Sequence, residues 1–187
     1  LAEKLNMRAL PNMKVAAAFP TDHRLHAAPP ANRFGPETLK MIAESDVILS
    51  LDWLDLAGLL KSAYGSKPVT AKILQVSCDQ HSHRGWSMDY QGLPPIDIYL
   101  MCEPEAAVPM LLDATKARTA GVPPVSTHKK PVASADAVTL TGVADALNKA
   151  TRGIDVCYTH LPIGWSGANS TFRHPLDYLG AEGGAGV

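Results

Sequence analysis

The chain has 187 residues, 46% of them hydrophobic, and a formal net charge of −1. That is enough apolar material for a core, which excludes disorder as the default state. The near-neutral charge removes the general electrostatic route to nucleic acid or an anionic membrane. No basic cluster with interleaved aromatics occurs, and no apolar run reaches bilayer length.

Cys78, Cys102 and Cys157 are few, odd in number and far apart. This argues against a disulfide framework and for a reducing cytoplasm. The opening LAEKLNMRAL lacks the apolar core of a signal peptide and reads as the tail of a helix. The closing GAEGGAGV stops in a glycine run. Both ends are those expected of a fragment.

In chain order, residues 1–10 place Leu1, Leu5 and Met7 on one helical face. Residues 15–19, VAAAF, read as a strand, and the proline-rich stretch 20–36 reads as a loop. Residues 36–45 read as a helix with Pro36 in its first turn and Leu39, Ile42 and Ala43 inward.

The central stretch is DVILSLDWLDLAG, residues 46–58. Val47, Ile48 and Leu49 form an apolar run followed by acidic residues, the pattern of a buried parallel strand entering a helix. The strand is expected over 46–51 and the helix over 55–64, with Gly65 as its stop. Further strands follow at 71–77 and 96–101, and a helix at 103–118. The strand centres lie about 25 residues apart, the length of a strand, crossover helix and return. Such alternation predicts an α/β fold with a parallel sheet and right-handed crossovers.

The composition changes in TAGVPPVSTHKKPVASA, residues 119–135, which reads as a linker and puts a domain boundary near residue 125. Beyond it, 140–151 reads as an amphipathic helix and 155–158 as a strand. The remainder is too short for a second complete α/β domain.

Several stretches carry polar chemistry. Asp52, Trp53 and Asp55 follow the first clear strand, where ligands sit in open α/β sheets, but Asp55 equally suits an N-cap and Trp53 a packing role. Cys78, His81 and His83, and separately His23 and His26, have spacings seen among metal ligands. They match no Cys/His framework of known geometry and read equally as polar loop residues. Glu103 and Glu105 stand at a helix start, where the helix dipole accounts for them. No G-x-G-x-x-G, P-loop or nucleophile motif occurs, so no catalytic residue is assigned.

Taken together, FPTDHRLH, FGPETLKMIAESDVILSLDWLDLAG, AKILQVSCD and FRHPLDYLGAEGGAGV, in this order, resemble the thiamine-diphosphate-dependent enzymes. The branch they resemble most is that of the acetolactate synthases and benzoylformate decarboxylases. The resemblance implies a central Rossmann-like domain over 1–118, of the nucleotide-binding type also seen in deoxyhypusine synthase and the sirtuins. It further implies a linker over 119–134 and the incomplete opening of the diphosphate-binding domain over 135–187. The implied cofactors are thiamine diphosphate and Mg²⁺, and the implied substrates are 2-keto acids. The cofactor would act as the electron sink for decarboxylation or carboligation, in a homo-oligomer.

On the same resemblance, the diphosphate is touched by the HLPIGW loop, giving Ile163, Gly164 and Trp165. The glycine run gives Gly184 and Gly186, and Val187 is the apolar prop of the cofactor. LDWLDLA lacks the arginine of the flavin-binding segment, which argues against FAD. The activating glutamate and the metal motif of the family have no counterpart in these residues, so the chain alone is expected to be inert. The alternative is a free-standing module that binds FAD, NAD or a CoA ester at the carboxyl strand ends.

Overall fold

A computed structural model of the chain describes residues 1–79, 90, 92–119, 121, 132 and 138–180. His81, His83, Gly184, Gly186, Val187 and most of the 119–134 stretch lie outside the described residues. Three strands, β1 (Val47–Leu51), β2 (Lys72–Val76) and β3 (Ile98–Leu100), form a parallel sheet in the order β1-β2-β3. Helices α1 (Ala2–Leu5), α2 (Pro36–Ala43), α3 (Leu56–Tyr64), α4 (Pro104–Ala114) and α5 (Leu140–Ala150) complete an α/β fold. Among the described residues, no helix is long and apolar enough to cross a membrane.

The β1–α3 unit follows from its residues. Asp55 Oδ1 accepts from the Gly58 N–H at 2.9 Å and caps α3. Gly65, at φ 62°, ends the helix in a conformation that costs a side chain strain. Between those stops, Leu56, Leu60 and Tyr64 share one face and pack on Ile73 of β2, with Ile48 and Trp53 at the margin. The sheet register places Ile48 beside Ile73, so one face of the sheet meets one stripe of the helix.

Four expected elements are corrected. Residues 15–19 are not a strand: a 3₁₀ segment, Met13–Ala18, occupies them, kinked at Val15. Asn12 caps it, accepting from the Lys14 and Val15 N–H groups, and its alanines favour a helical turn over a ladder. Residues 155–158 are not a strand either, since Tyr158 makes only an isolated bridge to Tyr178. The helix expected over 1–10 stops at Leu5, where Asn6 turns left-handed at φ 47°. The one expected over 103–118 stops at Ala114, where Thr115 takes an extended conformation.

A second core joins segments remote in sequence. Met13, Ala16 and Ala17 pack with Phe172 and Tyr178, and Tyr158, Leu161 and Trp165 lie against them. Phe172 is fully buried, stacked on Tyr178 with ring centroids 5.4 Å apart. The Thr21 N–H donates to the Phe172 carbonyl and the Phe172 N–H donates to Thr21 Oγ1, both at 2.9 Å. Asn148 on α5 donates to the Asn169 carbonyl at 2.9 Å and ties the helix to this region.

Two carboxylates are expected to make the fold sensitive to acid. Asp97 is held below the usual carboxylate range by its hydrogen bond from Lys72, then by the Ile73 N–H. Burial works against ionisation of Asp177, but the Arg173 and His174 N–H groups donate to it and hold it low. A depressed carboxyl stabilises the fold above its unfolded pKa of about 3.9 and loses that contribution as pH falls through the lower folded value. The thermal midpoint should therefore drop below about pH 4, less steeply in Asp97→Asn and Asp177→Asn. A midpoint that both variants leave with the parent's acid dependence would contradict this.

Candidate functional site

The polar residues that converge most closely lie at the carboxyl edge of the sheet. Asp52 leaves β1 at φ 53°, a left-handed position that aspartate tolerates better than most residues. Its N–H still donates to the Val76 carbonyl at 2.8 Å, so the turn begins directly at the ladder. That geometry brings Asp52 Oδ1 to Ser77, whose hydroxyl donates to it at 2.7 Å. The same Ser77 oxygen accepts from the Asp79 N–H at 3.0 Å. Tyr99 on β3 donates its hydroxyl to the Ser77 carbonyl at 2.8 Å.

Glu103 sits at the α4 N-cap position but makes no side-chain cap bond. It reaches back instead, accepting from the Cys78 thiol at 3.5 Å. Burial pushes the Cys78 thiol up, and Glu103, Asp52 and Cys102 push it further. Tyr99 is likewise raised by burial, then by Cys78, Asp79 and Asp52. The edge therefore disfavours negative charge and suits hydroxyl or amine donors better than phosphates.

Behind this edge runs a polar row. Ser50, Gln75 and Tyr99 are neighbours in register across the three strands. Ser50 and Gln75 are buried, and Ser50 Oγ and Gln75 Oε1 have no hydrogen-bond partner among the described residues. Each unmade bond costs about 1–3 kcal/mol. Sequence reading passed over Ser77 and Tyr99. The available signal was the polar-capable tyrosine in IDIYL, one strand away from the serine that closes AKILQVS.

The singled-out residues divide as follows. Asp52 belongs to the edge cluster. Asp55 is an N-cap whose second oxygen accepts from the Tyr90 N–H at 3.1 Å. Trp53 packs beside α3, 6.1 Å from the Phe34 ring. His23 Nδ1 accepts from the Leu25 N–H, which leaves its Nε2 proton to donate to Glu3 at 3.2 Å. His26 is buried and stacks on Phe19. Among the described residues, no group of three His, Cys, Asp or Glu side chains is placed to hold a metal.

The HLPIGW loop is a tight turn closed by the Trp165 N–H donating to the Pro162 carbonyl at 3.0 Å, with Gly164 at φ 82°. Ile163 at its tip is 89% exposed. The Trp165 indole N–H donates to Ser170 Oγ at 2.9 Å, and its ring lies against the Phe172 core.

A thiol raised by a neighbouring carboxylate reacts slowly, because the thiolate is the nucleophile. Cys78, exposed like Cys157, should be alkylated by iodoacetamide several-fold faster at neutral pH in Glu103→Gln than in the parent. Site-resolved mass spectrometry over a pH series reads this, and an unchanged Cys78 profile in Glu103→Gln would refute it. No protein-family model matches the chain, and no curated protein matches it.

Proposed function

We infer that the chain is the central Rossmann-like unit of a thiamine-diphosphate-dependent lyase or transferase acting on 2-keto acids, followed by the opening of its diphosphate-binding domain. One observation carries this reading. Two of the segments that resemble the family support it by their local structure, residues 46–58 as a strand entering a capped helix and AKILQVS as the adjacent parallel strand.

The described residues do not by themselves fit the cofactor. Ile163 is solvent-exposed, the Trp165 indole is bonded to Ser170, and no three ligands converge for Mg²⁺. The role assigned to the chain is therefore structural within a larger homo-oligomeric enzyme, and no chemical step is assigned to its residues.

The test starts with the native protein, detected by an antibody to this chain. A mass several-fold above 19.9 kDa, with turnover of a 2-keto acid dependent on thiamine diphosphate and Mg²⁺, is the expected result. A native mass near 19.9 kDa would overturn it. The second reading, a free-standing FAD-, NAD- or CoA-binding module, draws on the unpartnered Ser50 and Gln75 oxygens behind the strand ends. The acidic edge there suits ribose hydroxyls but opposes a diphosphate. Saturable binding of one of these nucleotides to the chain alone would favour it.

A further inference from the structure

β2 and β3 end side by side, and a cysteine follows each. Val76 and Leu100 are the last paired residues of this ladder, and the Ser77 N–H donates to the Leu100 carbonyl at 3.2 Å. Cys78 and Cys102 each stand two positions past that pair. With a side-chain period of two, the next pair in register on the same face is Cys78 with Cys102. The Cys102 N–H turns back to the Leu100 carbonyl at 3.0 Å, and the Ser77 carbonyl takes the Tyr99 hydroxyl instead. The ladder therefore stops just before the two cysteines, which leaves their spacing adjustable.

Side-chain contacts join the two positions as well. Glu103, the residue after Cys102, accepts from the Cys78 thiol at 3.5 Å. Cys102 is among the groups that push the Cys78 thiol up, an effect of near neighbours. Both thiols are free, Cys78 exposed and Cys102 half-buried. Adjacent strands run about 4.7–4.9 Å apart, inside the range of about 4.4–6.8 Å between Cα atoms that a disulfide spans. The third cysteine, Cys157, lies beyond α5 and ends no strand of the sheet.

We propose that Cys78 and Cys102 form a reversible disulfide that fastens the ends of β2 and β3, a redox-sensitive latch on the edge cluster. The oxidant is a small disulfide such as oxidised glutathione. The Cys102 thiolate attacks one of its sulfurs, forms a mixed disulfide and releases one glutathione. Cys78 then loses its proton to water, and its thiolate attacks the Cys102 sulfur. The second glutathione leaves as a thiolate and takes up a proton. Two protein thiols are oxidised, and one glutathione disulfide is reduced to two thiols. Closure removes the S–H that Glu103 accepts, so the carboxylate at the start of α4 is released from Cys78.

The full chain is equilibrated with reduced and oxidised glutathione over a range of ratios, and its disulfides are mapped by mass spectrometry without reduction. The Cys78–Cys102 bond should exceed either pairing with Cys157 by roughly tenfold or more, because thiols held side by side have the higher effective concentration. Dithiothreitol should reverse it. In concentrated urea the preference should fall to the small one that loop length sets. Cys102→Ser should leave Cys78 as a glutathione adduct, and Cys157→Ser should close the bond as the parent does. Amide exchange at Cys78, Asp79 and Glu103 should slow on closing. Comparable amounts of the three pairings in the folded chain, or separate glutathione adducts on Cys78 and Cys102, would overturn the proposal. So would an undiminished preference in urea, or amide exchange that oxidation leaves unchanged.

Discussion

Replacing Phe172 by alanine is expected to lower the stability of the fold by about 3–5 kcal/mol, the usual cost of emptying a buried aromatic site. The ring is fully buried, stacked on Tyr178 and edge-on to Tyr158 at 6.2 Å. Its neighbours Ala16 and Ala17 have no side chain long enough to collapse into the space. The Thr21 N–H bond to the Phe172 carbonyl and the Phe172 N–H bond to the Thr21 hydroxyl keep the two segments at a fixed spacing as the cavity opens. Urea denaturation followed by far-UV circular dichroism measures the loss. A loss under about 1 kcal/mol would mean that the ring is not packed as described. Leu60→Ala, in the cluster between α3 and the sheet, is the companion experiment. One transition moved by both variants marks a single cooperative unit, whereas two transitions, each moved by one variant, mark two.

Gly180→Ala should be nearly as damaging. Gly180 stands at φ 95°, and a Cβ there would lie 2.2 Å from the Lys14 carbonyl oxygen. The left-handed conformation costs alanine about 1–2 kcal/mol, and forcing the Lys14 backbone aside adds about 1–3 kcal/mol. Gly65→Ala is the control, since that glycine also has positive φ but nothing lies within 4 Å of its would-be Cβ. Thermal unfolding of the two variants should separate strain from collision. Equal losses would show that the Lys14 carbonyl moves freely.

The sheet was legible because each strand is an apolar run closed by a strong local stop. Val47–Leu51 ends at Asp52, and Asp55 and Gly65 bracket the helix that follows. Local signals sufficed there, and they erred where tertiary contact decides. VAAAF looks like a strand in isolation, yet its alanines are small enough to admit Phe172 from the far end of the chain. Tyr158 has the side chain of a strand residue but only Tyr178 to pair with. The edge cluster was half visible. Asp52 announced itself by following a strand, whereas Ser77, Tyr99 and Glu103 meet it only through a register that no window of sequence displays. Glu103 looks like a dipole-capping acid in sequence, and it faces a thiol instead.

The pairing of Thr21 with Phe172, 151 positions apart, sets an order of events during synthesis. At about 5–20 residues per second, the ribosome needs roughly 8–30 s to deliver the partner after Thr21 has emerged. The sheet and its helices, built from segments close in sequence, can assemble within that interval. Met13, Ala16 and Ala17 cannot, and they stay uncovered until nearly the whole described chain exists. The nascent chain thus carries an exposed apolar stretch at Met13, Ala16 and Ala17 until Phe172 has emerged, which makes that stretch a handle for chaperones and a target for proteases during the interval.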